Sequence, residues 1–162
     1  MNNLLENKNM LENTFKSIAE ISNLILADYT LELNDYIDAV YQKWIIEQET
    51  PSDNELEDIV SRIPLYLYRT TGIKESLATK EDLAKIIKDR AYNEALLKST
   101  GTVAERQANA DNAIANDKLA YLAYNTAYKT IQGKFDMALE LLNSAKKIQN
   151  ARISERDLSR RI

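Results

Sequence analysis

The chain has 162 residues, with 21 Lys or Arg against 25 Asp or Glu, and a formal net charge of −4. It contains no Cys and no His, which removes thiolate chemistry and the most frequent general base and metal ligand. Triad hydrolases, zinc hydrolases and His-dependent nucleases are therefore excluded, and we expect a protein that is not an enzyme and needs no metal or cofactor. Three Gly and two Pro leave few points at which a helix must end, so the composition predicts an all-α fold.

The charges are distributed unevenly along the chain. Residues 1–72 carry 5 Lys or Arg against 13 Asp or Glu, whereas residues 73–162 carry 16 against 12. We therefore divide the chain into an acidic N-terminal helical region, 1–72, and a long helical hairpin with a basic C-terminal end, 73–162. Such an imbalance indicates either an anion-binding end, or acidic and basic segments that pack on each other within or between copies.

The first predicted helix begins near Leu4 or Asn9, and a second amphipathic segment follows from Leu33 to Trp44,. The start of the chain lacks a signal peptide's basic leader and apolar core, and no window approaches 18 uninterrupted apolar residues,. A cytoplasmic protein without membrane contact is expected. Acids three or four apart, at Asp28, Glu32, Asp35 and Asp38, are interpreted as a solvated face, because a cation site needs a second group of ligands.

The next two helices are predicted from capping residues. Ser52 and Glu55 have the spacing of a capping box, which predicts a helix start after Pro51,. Gly72 is predicted to end that helix as a left-handed cap, and Thr79 to begin a third helix. The third helix carries an apolar stripe predicted to be buried, formed by Leu83, Ile86, Ile87, Ala91 and Leu97.

The last helix is predicted to begin at a capping box of Thr102 and Glu105 and to continue without a stop to about Arg156,. Its apolar residues follow the alternating spacing of three and four that is typical of a coiled-coil seam. This pattern predicts an elongated helical hairpin or bundle that forms homo-oligomers through a long, coiled-coil-like C-terminal helix. The seam consists of Tyr121, Tyr124, Tyr128, Ile131, Phe135, Ala138, Leu142 and Ala145.

A group of cations follows the seam and is the best candidate for binding a nucleic acid or another polyanion. The structural alternative is that cations near a helix C-terminus interact favourably with the helix dipole. The Tyr residues near Lys118 and Lys129 similarly fit either a single-strand surface, on which bases stack, or a buried helix face. The cations of the candidate site are Lys146, Lys147, Arg152, Arg156, Arg160 and Arg161.

Two segments carry a resemblance to a known family. The first is TGTVAERQANAD, which ends at Asp111, and the second is YLAYNTAYKTIQGKFDMALELLNSAKKIQNAR, from Tyr121 to Arg152. A capped, Ala-rich start followed by a Tyr-rich seam and a basic end resembles the UvsY-like recombination mediators of bacteriophages. The resemblance covers a little over half of the chain and leaves the acidic first 65 residues unexplained.

The resemblance implies an all-helical homo-oligomer in the cytoplasm of the phage's host. It further implies that the protein binds single-stranded DNA and helps to load a recombinase, with a recombinase or a single-strand-binding protein as further partner. In that case Lys146, Lys147, Arg152 and Arg156 would contact phosphates.

Two other functions stay open. An acidic helical phage protein could bind and inhibit a host protein, such as a defence nuclease, by mimicking nucleic acid. Alternatively, the chain could be a structural coiled-coil scaffold. The mimic would use Glu32, Asp35, Asp38, Glu47, Glu49, Asp53 and Glu55.

Overall fold

In the computed structural model, the backbone is described for residues 2–160, and side chains are described from residue 12 to 160 except at 15 and 27–31. Residues 2–160 contain helices and no strand, which confirms the predicted all-α class. The helices are α1 (Asn2–Tyr41), a π-helical turn (Gln42–Ile46), α2 (Asp53–Lys98), α3 (Val103–Ala113) and α4 (Ala115–Ser159).

The chain folds into two compact units. Unit 1 comprises Met1–Asp28 and Lys74–Thr130, and unit 2 comprises Tyr29–Ile73 and Ile131–Ile162. Helices α1, α2 and α4 each contribute one segment to each unit. Both units therefore draw residues from both of the predicted regions, 1–72 and 73–162.

Unit 2 is a three-helix arrangement around one apolar core. Its α2 segment contributes side chains at spacings of three and four, so that they share one helix face. Partly buried aromatic residues, including Trp44 and Phe135, pack against this core. Full burial of one such aliphatic side chain stabilises the fold by about 1.5–3 kcal/mol. The buried residues are Leu33 from α1, Leu56, Ile59, Ile63 and Leu67 from α2, and Ala138, Leu142 and Ala145 from α4.

Alanine is prominent among the buried residues of unit 1 whose side chains the structure describes. Ala110 of α3 and Ala123 and Ala127 of α4 are completely buried, together with the larger Leu77 and Ile114. Small side chains let helix backbones approach closely, but each one buries little apolar area. Among the described residues of unit 1, the buried alanines therefore contribute through close helix contact more than through buried area.

The predicted capping boxes at residues 52 and 102 are confirmed. The Ser52 N–H donates to Glu55 Oε2 at 2.7 Å, and the Glu55 N–H donates to Ser52 Oγ at 3.3 Å. At the start of α3 the corresponding distances between Thr102 and Glu105 are 2.8 and 3.4 Å. Each box satisfies two N–H groups that would otherwise lack a partner at a helix start.

The predicted helix end at Gly72 and helix start at Thr79 are wrong, because α2 continues from Asp53 to Lys98. Gly101 is the glycine with a positive φ, of 110°, whereas Gly72 keeps helical backbone. Thr71 Oγ1 donates to the Leu67 carbonyl at 2.8 Å, and Thr79 Oγ1 donates to the Glu75 carbonyl at 3.1 Å. These hydroxyls bond to the preceding helical turn instead of capping a new helix.

The long C-terminal helix is interrupted once within the described residues, at Ile114, which the sequence did not predict. Ile114 has φ −98° and ψ 13°, and it separates α3 from α4. Its N–H still donates to the Ala110 carbonyl, and its own carbonyl accepts from the Lys118 N–H at 2.9 Å. The interruption is therefore a local change of backbone dihedral angles at a buried residue, and helical hydrogen bonds are kept on both sides.

Candidate nucleic-acid interface

Three arginines at the end of α4 lie on one side of the helix. Arg152, Arg156 and Arg160 are four residues apart, so successive side chains lie one above the other. Together with Glu155 and Ser159 they line one open cleft of unit 2, which we call the arginine cleft. Three guanidinium groups against one carboxylate give the lining an excess of positive charge, which suits an anionic ligand.

An acid from the start of α2 holds two of these arginines in place. Arg152 donates through one terminal nitrogen to Asp53 Oδ1 at 2.8 Å and through the other to the Pro51 carbonyl at 2.6 Å. Arg156 pairs with the second oxygen of the same carboxylate. The bonds from Arg156 and then from Arg152 lower the pKa of the Asp53 carboxyl below its ordinary value. Asp53 therefore stays ionised at neutral pH and neutralises part of the arginine charge.

The other predicted cations are placed differently. Lys146 and Lys147 are exposed on α4, and neither forms an ion pair with any residue whose side chain is described. Arg160 is exposed within the cleft, and Arg161 lies outside the described residues. The structure thus gathers three of the six predicted cations around the cleft. It places Lys146 and Lys147 nearer the middle of the same helix.

Lys43 organises a second charged group at the start of α2. It pairs with Glu55 and, at 3.5 Å, with Glu49. The Lys43 ammonium, followed by the Ser52 N–H and hydroxyl, lowers the pKa of Glu55 from 4.5 to about 2. The capping carboxylate is therefore fully ionised at neutral pH and serves the helix start as well as the ion pair.

The acidic residues considered for mimicry of nucleic acid are largely paired within the chain. Glu32 pairs with Arg69, Glu49 and Glu55 pair with Lys43, and Asp53 pairs with the two arginines. Asp35, Asp38 and Glu47 are exposed, while the Asp28 side chain lies outside the described ones. Among the described residues, no group of three or more acids is placed to hold a metal ion.

The predicted seam is divided between the two units. Ile131 is completely buried and Leu142 nearly so in unit 2, and Phe135 packs against the same core. These side chains are therefore covered by helices of their own chain. Tyr121, Tyr124 and Tyr128 are half-buried in unit 1, and the Lys88 ammonium lies 4.7 Å from the centre of the Tyr121 ring, a cation–π contact.

Tyr36 makes a polar contact that the sequence did not indicate. Its hydroxyl donates to Asp58 Oδ2 at 2.9 Å, and Arg62 Nε lies 2.6 Å from the other oxygen of Asp58. Burial, and then the bond to Asp58, raise the pKa of the Tyr36 hydroxyl well above its ordinary value. No sequence signal pairs Tyr36 with an acid 22 residues later.

Comparison with protein-family models, with curated proteins and with solved structures finds no match to this chain. Of the helices formed by the described residues, none combines the length and the apolar character needed to cross a bilayer.

Proposed function

We propose that the protein is a non-enzymatic accessory protein of phage DNA recombination that binds single-stranded DNA along the end of α4. The observation that carries this proposal is the arginine cleft, in which Arg152, Arg156 and Arg160 line one opening. The sequence resemblance to UvsY-like mediators adds the recombinase-loading role, self-association and action in the host cytoplasm.

The spacing of the cations in the arginine cleft fits several successive phosphates of a strand better than it fits a single small anion. Residues four apart in a helix rise about 6 Å, so the guanidinium groups form a row along α4. Lys146 and Lys147 lie one to two turns before Arg152 and are free of intrachain ion pairs among the described side chains. At about 100° per residue they project away from the row of arginines, Lys147 from nearly the opposite side of α4, so the row itself consists of the three arginines. A row of cations can meet successive phosphates of a strand in extended form, independent of base sequence.

Asp53 gives this site a built-in anion. Its carboxylate holds Arg152 and Arg156 with their donors already aligned, as a phosphate would hold them. A strand that approaches the cleft competes with Asp53 for these donors, while Arg160 and the two lysines supply positive charge that Asp53 does not engage.

The rival function, inhibition of a host protein by an acidic face, is less well supported. Four of its seven acids are ion-paired with Lys43, Arg69, Arg152 or Arg156. A mimic of nucleic acid must present unneutralised charge to a basic groove, and these four do not.

The test is fluorescence anisotropy with a labelled oligonucleotide at two salt concentrations. Affinity should fall steeply with salt, because bound cations are released as phosphates are neutralised. Changing Lys146, Lys147 and Arg160 together to Ala should weaken binding by at least about tenfold and flatten the dependence on salt. These three are chosen because none of them pairs with Asp53, so the contact between α4 and α2 is kept.

The matched control removes the same number of charges from exposed lysines of unit 1. Lys16, Lys85 and Lys98 are exposed, and their replacement by Ala should change affinity by less than about threefold. Equal losses in the two triple variants would mean that only net charge matters, and the assignment of the site to α4 would be wrong. Absence of binding at low salt by the folded protein would remove the proposal.

A further inference from the structure

The α2 segment of unit 1 exposes a row of large apolar side chains. Leu83, Ile86 and Ile87 are 53%, 62% and 57% exposed. Their spacing of three and four places them on one helix face, and this is the stripe that the sequence predicts to be buried. Scattered exposed apolar residues are common on proteins, but a contiguous stripe indicates a surface that another molecule covers.

The stripe borders a groove between α2 and α4. Leu83, Ala84 and Ile87 of α2 face Ala120 and Tyr124 of α4 across this groove. Its lining combines two small alanines with larger apolar and aromatic side chains. A groove with this profile accepts the ridge of a helix.

The lining of the groove includes one cation and one anion, Lys80 from α2 and Asp117 from α4. Neither forms an ion pair with any residue whose side chain the structure describes. Both charges are thus available to a molecule that docks in the groove, and a partner must present an anion near Lys80 and a cation near Asp117.

We propose that the occupant is a second copy of this chain, related by a two-fold axis. In a two-fold dimer the same patch faces itself, so each group must meet its complement on the same surface. Lys80 and Asp117 provide such a complementary pair, because Lys80 of each copy can face the Asp117 of the other. The apolar stripe of each copy then supplies the ridge that enters the other's groove. This inference rests only on the self-association part of the proposed function.

The test uses two variants, each of which reverses one charge of the pair, first separately and then mixed. In Lys80→Glu alone, each groove carries two acids, and in Asp117→Lys alone, each carries two bases. Both variants should therefore be monomers by analytical ultracentrifugation at concentrations where the wild type is a dimer. An equimolar mixture should form dimers again, because the acid introduced in one copy meets the base introduced in the other. The unchanged Lys80 and Asp117 of the mixed pair also meet, and charge effects within one chain cannot produce this recovery.

Asp117 lies in the first turn of α4, where an acid is favourable to the helix dipole, so Asp117→Lys can also weaken folding. A second variant, in α2, tests the interface without this effect. Ile87 is exposed, so Ile87→Lys should leave the helicity of the folded protein as in the wild type while shifting the dimer to monomer. A monomeric wild type, a mixture that stays monomeric, or an Ile87→Lys protein that stays dimeric would each overturn the inference, as would a different protein bound in the groove. A wild-type monomer that still binds oligonucleotide would overturn this interface and leave strand binding at the arginine cleft standing.

Discussion

Arg152 and Asp53 are 99 residues apart in the chain, and the Arg152 guanidinium donates to Asp53 Oδ1 at 2.8 Å. The same guanidinium donates to the Pro51 carbonyl, so one side chain fixes the loop before α2 and the first turn of α2. The contact joins the end of α4 to the start of α2 within unit 2. It also places the acid that competes with a bound strand directly against the arginines of the cleft.

Asp53→Asn should raise the affinity for single-stranded DNA severalfold. The substitution removes the anion that holds Arg152 and Arg156 and keeps a side chain of the same shape. With one negative charge fewer in the cleft, more phosphates can be neutralised, so the dependence of affinity on salt should become steeper. Anisotropy titrations at two salt concentrations measure both effects.

The control for this variant is Asp157→Asn. Asp157 is an exposed acid next to Arg156 in sequence, and it forms no ion pair with the described side chains. Its replacement changes the net charge by the same amount without touching the contact with Arg152. An equal gain in affinity from both variants would mean that Asp53 acts only through net charge and does not occupy the arginines.

Stability at low pH should depend on Glu55. Its pKa is lowered from 4.5 to about 2 by Lys43 and by Ser52. A group with a lowered pKa in the folded state contributes stability that is fully present above the unfolded value and is lost as pH falls through the folded value. The contribution of Glu55 is therefore complete above the ordinary pKa of 4.5 and disappears as pH falls toward about 2.

Urea unfolding of Glu55→Gln at neutral pH and close to the folded-state pKa of about 2 tests this. The variant should be less stable than the wild type at neutral pH, and the difference should shrink at the acidic pH, where the wild-type carboxylate takes up a proton. Glu57→Gln, at an exposed acid of the same helix start, serves as the control and should show no such change. A constant difference between Glu55→Gln and the wild type across this pH range would contradict the assignment.

The helix starts could be predicted from sequence because capping is local. Ser52 with Glu55, and Thr102 with Glu105, need only three-residue spacing to satisfy a helix start, and both boxes form. The helix end predicted at Gly72, by contrast, does not form. A glycine ends a helix only where the chain turns, and here the helix continues because side chains on both sides of Gly72, Leu67 and Leu77, are buried.

The core could be predicted only in part, because several buried residues are small and several large apolar residues are exposed. Ala110, Ala123 and Ala127 are completely buried, but alanine is common on every helix face and gives a weak periodic signal. The large residues Leu83, Ile86 and Ile87 give a strong signal and are exposed. Of the candidate site, the cations were found by composition and spacing, whereas the contact between Arg152 and Asp53 joins residues 99 positions apart and no local pattern reports it.

Leu142→Ala should destabilise the protein by about 2–5 kcal/mol, the usual loss when a buried Leu is cut back to Ala. Leu142 lies in the core of unit 2 with residues of α1 and α2. Since this core is formed by one chain, Leu142→Ala should leave the equilibrium between dimer and monomer of the folded protein unchanged, as measured by analytical ultracentrifugation without urea. A shift of the folded variant toward monomer would instead place Leu142 at a contact between copies, as the predicted seam requires.

The control is Leu158→Ala. Leu158 is 64% exposed on the same helix, so its replacement should change stability by no more than about 0.5 kcal/mol. Equal losses at the two positions would mean that Leu142 is not packed as the structure shows.

Alanine substitutions at the three glycines should change stability in opposite directions. Gly72 and Gly133 lie inside α2 and α4, and an added Cβ at either position meets no atom within 4 Å. Glycine inside a helix is less favourable than alanine by roughly 0.5–1 kcal/mol, because it loses more backbone freedom on folding. Gly72→Ala and Gly133→Ala should each stabilise the protein by about that amount.

Gly101→Ala should have the opposite effect. Gly101 has a φ of 110°, and an added Cβ would lie 2.6 Å from Glu105 Oε2, the oxygen that accepts the Thr102 N–H in the capping box. The variant must therefore strain the backbone and displace the capping carboxylate, and we expect a loss of about 1 kcal/mol or more. Urea unfolding of the three variants under one set of conditions gives the comparison. A gain at Gly101, or a loss at both Gly72 and Gly133, would contradict the backbone conformations of these glycines.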